Sequence, residues 1–145
     1  MKTIYQAIIA RLADQVPALK WTDMNIGQLD SAERPAVMLP CALISIKVTK
    51  AKSLTDTIQD CEAQVTVTLA FDVPERTSGN APAVKRMEGL AVYDIIADTY
   101  AALQGWGTEN FDSLSRTSQG EGTIKNGTFR YPVTFSVQFE DNTAN

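Results

Sequence analysis

Residues 63–73, AQVTVTLAFDV, alternate along their whole length. Val65, Val67, Leu69, Phe71 and Val73 fall on one face, and Gln64, Thr66, Thr68, Ala70 and Asp72 on the other. A period of two predicts a strand with one face turned to a core. The second face is neither apolar nor charged in the manner of an ordinary surface. Residues 36–49, AVMLPCALISIKVT, repeat the pattern, with Ala42, Ile44, Ile46 and Val48 on one side and Leu43, Ser45, Lys47 and Thr49 on the other. Pro40 cannot donate to a ladder and marks a strand start or a bulge. The polar connection KAKSLTDTIQD, 50–60, joins the two runs into a long antiparallel hairpin turning near Leu54. Residues 128–140, TFRYPVTFSVQFE, form the clearest strand: Phe129, Tyr131, Val133, Phe135, Val137 and Phe139 alternate with polar residues. A less marked strand covers 111–119, the turn-rich GEGTIKNG fills 120–127, and the tail DNTAN frays.

Two segments carry the helical period instead. Ile4, Ile8, Leu12 and Val16 recur every four residues, with Tyr5, Ile9 and Ala13 widening the stripe, and Pro17 ends that helix. In 83–103, Val92, Ile95, Ile96, Thr99 and Leu103 line one side while Asp94 and Asp98 mark the solvent side; Gly105 and Gly107 stop the helix around Trp106. Residues 18–35 read as a short extended piece near Trp21 followed by a polar loop, and 74–82, PERTSGNAP, as a loop. The expectation is a single α+β domain over 1–145: a mostly antiparallel four- to five-stranded sheet with two helices on one face, in the order α-β-β-α-β-β. No third helix is available for the other face.

Composition narrows the chemistry. The chain has 145 residues and a formal net charge of -4, which argues against a nucleic-acid backbone as direct partner. The apolar stretch at the N-terminus is broken by Gln6 and Arg11, unlike a signal peptide, and no apolar run is long enough to span a bilayer, so synthesis in the cytoplasm and no membrane partner are expected. There is no histidine. That removes Ser-His and Cys-His nucleophile systems, and with only Cys41 and Cys61 it argues against structural zinc. The two cysteines read as free thiols, out of register for a disulfide. Asp94 with Asp98, and Asp60 with Glu62, read as solvated carboxylates, since two alone make a poor cation cage. Gly120, Gly122 and Gly127 match no phosphate-binding spacing; Asn126-Gly127 is a favoured hairpin turn. Asn126-Gly127-Thr128 is formally a glycosylation sequon and is read as chance. Trp21 and Trp106 lie at element ends and read as rim seals. Lys47, Lys50 and Lys52 cluster at the first hairpin, with Asp56 and Asp60 close by; a protein contact or a solvated arm is favoured over a phosphate-contacting finger. No catalytic residue, cofactor or metal ligand is expected.

The second faces of the three alternating strands share one character. They offer Ser45, Lys47 and Thr49; Thr66 and Thr68; and Thr134, Ser136 and Gln138. Such a face is either solvated, as in many antiparallel sheets, or packed on a neighbouring subunit.

The pattern resembles the tail-terminator proteins of long-tailed phages and prophages, the lambda-type minor tail protein U group. The resemblance is carried by the N-terminal amphipathic helix, RPAVMLPCALISI at 34–46, the arm-like connection, AQVTVTLAFDVPE at 63–75 with the helix after it, and SRTSQGEGTIKNGTFRYPVTFSVQFED at 115–141. The family implies a structural role without a reaction. Its members form a ring, typically hexameric, that caps the tail tube and faces the head-completion proteins. The implied partners are the chain itself, the tail-tube protein and head-completion or neck proteins. The implied location is the host cytoplasm during assembly and then the virion tail. Ring or tube contacts are assigned to Lys47, Lys50, Lys52, Thr66, Thr68, Thr134 and Ser136, with the 50–60 arm and the 120–127 turn. Another neck or head–tail joining protein is the near alternative. A dimeric small-ligand-binding α+β regulatory module is the alternative of a different class.

Overall fold

The computed structural model describes residues 1–31, 37–75 and 77–145. Residues 32–36 of the expected polar loop and strand onset, and Arg76 of the 74–82 loop, lie outside the described residues. The elements run α1 (Lys2–Gln15), β1 (Trp21–Met24), a 3-10 turn (Gln28–Asp30), β2 (Cys41–Ser53), β3 (Gln59–Asp72), α2 (Ala83–Leu90), α3 (Val92–Leu103), β4 (Ser115–Gln119), β5 (Thr123–Lys125) and β6 (Thr128–Asp141).

The class is α+β as expected, but the sheet is corrected: it has six strands in the order β1-β2-β3-β6-β4, with β5 also on β6. It is mixed, because β1 pairs parallel with β2. The physical reason is the connection between them. Of the connection between them, Leu29, Val37 and Leu39 pack on the sheet face that carries Leu43 and Ala70, and a connection passing over a face brings the chain in parallel. β3 is the central strand, paired along its length with β2 on one side and β6 on the other.

Four further expectations are revised. The strand expected over 36–49 starts at Cys41, directly after Pro40, and runs on to Ser53. The polar connection 50–60 is mostly ladder: only Leu54–Ile58 turns, closed by the Leu54 amide donating to the Ile58 carbonyl at 2.8 Å. The helix expected over 83–103 is interrupted at Ala91. α2 lies close on the preceding loop, where a Cβ on Gly89 would stand 2.3 Å from the Glu75 carbonyl oxygen. Val73, expected in the core, is 51% exposed because β3 stops one residue earlier, ahead of Pro74.

The core sits where the two periodicities meet. Ile4, Ile8, Leu12 and Val16 of the α1 stripe and Ile96 and Leu103 of α3 pack on the face made by Ala42, Ile44, Val65, Val67, Leu69, Val133 and Phe135. Thr99, fully buried there, donates its hydroxyl to the Ile95 carbonyl at 2.8 Å, so its polar atom stays satisfied. Trp106 closes the rim as expected, edge-to-face on Phe111 at 5.4 Å with the Arg11 guanidinium over its ring.

The opposite face is not bare along its length. Leu29, Cys41, Leu43 and Ala70 form a second small apolar cluster beneath the β1–β2 crossover, with Val37 and Leu39 packed on it. The sequence offers no third helix for that face; irregular chain covers one end of it instead. Arg130 fastens it. Its Nη1 donates to Asp30 Oδ1 at 2.6 Å and its Nη2 to the Leu29 carbonyl at 2.7 Å. The Asn126 amide donates to the Leu29 and Ser31 carbonyls at 3.0 and 2.9 Å. That amide is therefore occupied in the fold. Asn126 and Gly127 both have positive φ, 52° and 75°, as the two-residue hairpin turn between β5 and β6 requires.

The clasp gives a testable consequence. Arg130→Ala removes charged donors from a largely covered site and is expected to cost about 1–3 kcal/mol. Hydrogen exchange should show faster amides in residues 25–31, with the β3–β6 ladder unchanged. The pH response follows from Asp30. Arg130, and then Lys125, hold its carboxyl below the usual aspartate value of 3.8. A lowered native value stabilises above the unfolded value, so the clasp keeps its full strength at neutral pH. It weakens as pH falls below the ordinary aspartate range.

Candidate assembly surface

The uncovered part of the second face is ordered by strand register. Ser45 pairs with Thr66, Thr66 with Thr134, and Thr134 with Ser118. Directly paired residues share a face, so four strands present one continuous row of hydroxyls. Three inter-strand gaps make that row about 14 Å wide. Within it the Thr66 and Thr134 hydroxyls lie 3.4 Å apart. Thr134 is 7% exposed, boxed in by its neighbours on β3 and β4, while Thr66 is half-buried and Ser45 and Ser118 are exposed. The next row is Lys47, Gln64, Ser136 and Ser115; on the other side Leu43, Thr68 and Pro132 lead into the covered cluster.

The lysines join this face through a defect in the ladder. The β2–β3 register shifts between Val48 and Lys50, leaving Thr49 as the bulged residue. Strict alternation would send Lys47 to one face and Lys50 and Lys52 to the other. With the extra residue, Lys47 opposes Gln64, Lys50 opposes Glu62 and Lys52 opposes Asp60, all on the hydroxyl face. The Thr49 hydroxyl donates to the Glu62 carbonyl at 3.1 Å and so pins the bulge.

All seven sequence-assigned contact residues thus lie on one side of the sheet. Thr66 and Thr134 share a row, Thr68 and Ser136 flank it, and the lysines form a column along β2. The lysine column is not a free cationic finger. Lys50 Nζ stands 3.9 Å from Glu62 Oε2, and Ser136 donates to the same carboxylate at 3.2 Å. Sequence reasoning missed Ser115 and Ser118, because a second register shift in β4, between Arg116 and Ser118, hides their common facing. Among the described residues no group of three or more acidic or cysteine side chains could hold a metal ion. Asp94 and Asp98 are both exposed. Among the described residues no helix is long and apolar enough to cross a membrane.

The cysteines are separated by the sheet itself. Cys41 pairs with Ala70 and belongs to the small cluster, whereas Cys61 pairs with Ala51 and faces the main core. The nine residue steps along β3 from Cys61 to Ala70 put them about 30 Å apart along the strand, far beyond disulfide reach. Burial pushes the Cys41 thiol up to about 11; burial, then Asp141 and Asp60, raise that of Cys61. The native protein at pH 8 is therefore expected to leave both thiols unreacted with an aromatic disulfide reagent over minutes, and to release both on denaturation.

No protein-family model matches the chain, and no curated protein matches it. Among solved structures it is similar to a chain of the virion of a native gene transfer agent (GTA) particle, at 11% sequence identity, over 92% of this chain and 84% of that one, with a TM-score of 0.43.

Proposed function

We propose that this chain is a structural protein of a phage or prophage tail, a tail terminator whose subunits form a ring on the tail tube and join it to the head. The observation that carries the reading is the hydroxyl row Ser45–Thr66–Thr134–Ser118, flanked by the lysine column and left open beside a well-filled core. Short hydroxyl side chains keep a lone subunit soluble and still permit close approach of another protein layer. The resemblance of the strand and helix segments to the tail-terminator group supplies the specific role. The partners are then further copies of the chain, the tail-tube protein and a head-completion protein. The chain meets them in the host cytoplasm and remains in the virion tail.

The test is made on tails. Tubes assembled without this protein should run past their normal length, and added protein should decorate one end of each tube in electron micrographs. Tubes of normal length in its absence, or protein bound along their sides, would refute the role.

A further inference from the structure

The three-stranded arm formed by the ends of β2, β3 and β6 has two unlike edges. β1 leaves β2 at Ile44, where the Asn25 amide makes the last outer bond at 2.9 Å. From Ile46 to Ser53 the outer edge of β2 has no backbone partner among the described residues. On the opposite side the Asp112 amide donates to the Gln138 carbonyl at 2.8 Å, and Phe139–Asp141 continue with an open outer edge.

The charges on these edges are opposite and incompletely paired within the chain. The β2 edge carries Lys47, Lys50 and Lys52, of which only Lys50 makes an ion pair among the described residues. The β6 edge carries Glu140, which directly opposes Asp60 on β3. Lys52 opposes Asp60 from the other side, so the row Lys52–Asp60–Glu140 holds one cation for two carboxylates and, among the described residues, leaves Glu140 at the edge without a cation beside it. Lysines on an edge also guard against unwanted strand pairing. That role accounts for the basic edge alone and leaves the acidic one unexplained.

We propose that the β2 edge of one copy docks against the β6 edge of the next, Lys47 and Lys52 meeting Glu140. β2 and β6 are both antiparallel to β3, so they run the same way. A rotation that carries one subunit to the next therefore brings β6 alongside β2 in parallel with the faces preserved. Among the described residues only Phe139–Asp141 are free on the β6 edge, so the lysine face meets Glu140 and the apolar edge residue Val48 meets Phe139. A two-fold contact would instead put lysines against lysines. The arrangement is heterologous, the kind of contact that closes a ring. The inference rests on the proposed tail role only for that closure.

The full-length chain tests it by light scattering across a concentration series. The pair Lys47→Glu with Lys52→Glu, and separately Glu140→Lys, should each weaken self-association by about tenfold or more. All three together should restore it to within about threefold of the wild type. Thermal melting checks that each exposed variant still folds. Unchanged association in both reversals, a triple variant weaker than either, or a wild type that stays monomeric at every concentration overturns the proposal. Rescue by charge exchange without any binding to tail tubes would keep this contact and remove the tail role. Tube-end binding that ignores the reversals would do the opposite.

Discussion

Replacing Phe135 by alanine is expected to lower the free energy of unfolding by about 3–5 kcal/mol. Phe135 is fully buried in the middle of β6, opposite Val65 on β3 and Arg116 on β4. Its ring belongs to the cluster that joins both helix stripes to the sheet, with Val65, Val67 and Val133 beside it. Truncation loses the transfer energy of the ring and leaves a cavity between rigid strands that cannot collapse to fill it. Against a total of about 5–15 kcal/mol this is a large fraction. In urea, where slopes run about 1–3 kcal/mol per molar, the midpoint should fall by about one molar or more. A loss under about 1 kcal/mol would mean that β6 does not hold the sheet to the helices.

Thr66→Glu is expected to act in the opposite way: a small effect on the lone subunit and a large one on assembly. Thr66 sits at the centre of the hydroxyl row, half-buried, with Ser45 and Thr134 directly beside it. In the monomer a glutamate there can reach water, so the melting point should shift by only a few degrees. Pressed under another protein layer, the same carboxylate loses its water without a designed partner, at a cost of about 2–5 kcal/mol. Binding to tube ends should therefore weaken by tens- to thousands-fold. A Thr66→Ser control, which keeps the hydroxyl, should leave binding near the wild type. Assembly that tolerated the glutamate would assign the hydroxyl face to solvent and remove the observation on which the proposed function stands.

Much of this structure follows from local periodicity. The 3.6-residue stripe of Ile4, Ile8 and Leu12 and the two-residue alternation of β3 and β6 appear in the fold as read, because burial acts on each segment with its own period. The Asn126-Gly127 turn was equally legible, since positive φ at both positions restricts the residue choice. The arm was not: Lys50–Ser53 and Gln59–Asp60 are strand with both faces wet, so no apolar alternation betrays them.

The sequence by itself determined the main core stripe and the polar character of the hydroxyl face, though not the exposure of Val73 or the burial of Leu43 and Ala70 on the second face. Hydrophobic burial depends on residue type and short-range spacing, and both are written along the chain. Only the tertiary structure decided what those polar faces add up to. The parallel entry of β1, the bulge at Thr49 that moves Lys50 and Lys52 beside Lys47, and the Arg130 clasp on Asp30 all depend on register between distant segments. A one-residue shift in register moves a side chain to the other face without altering composition or local pattern. The hydroxyl row and the lysine column are products of that register.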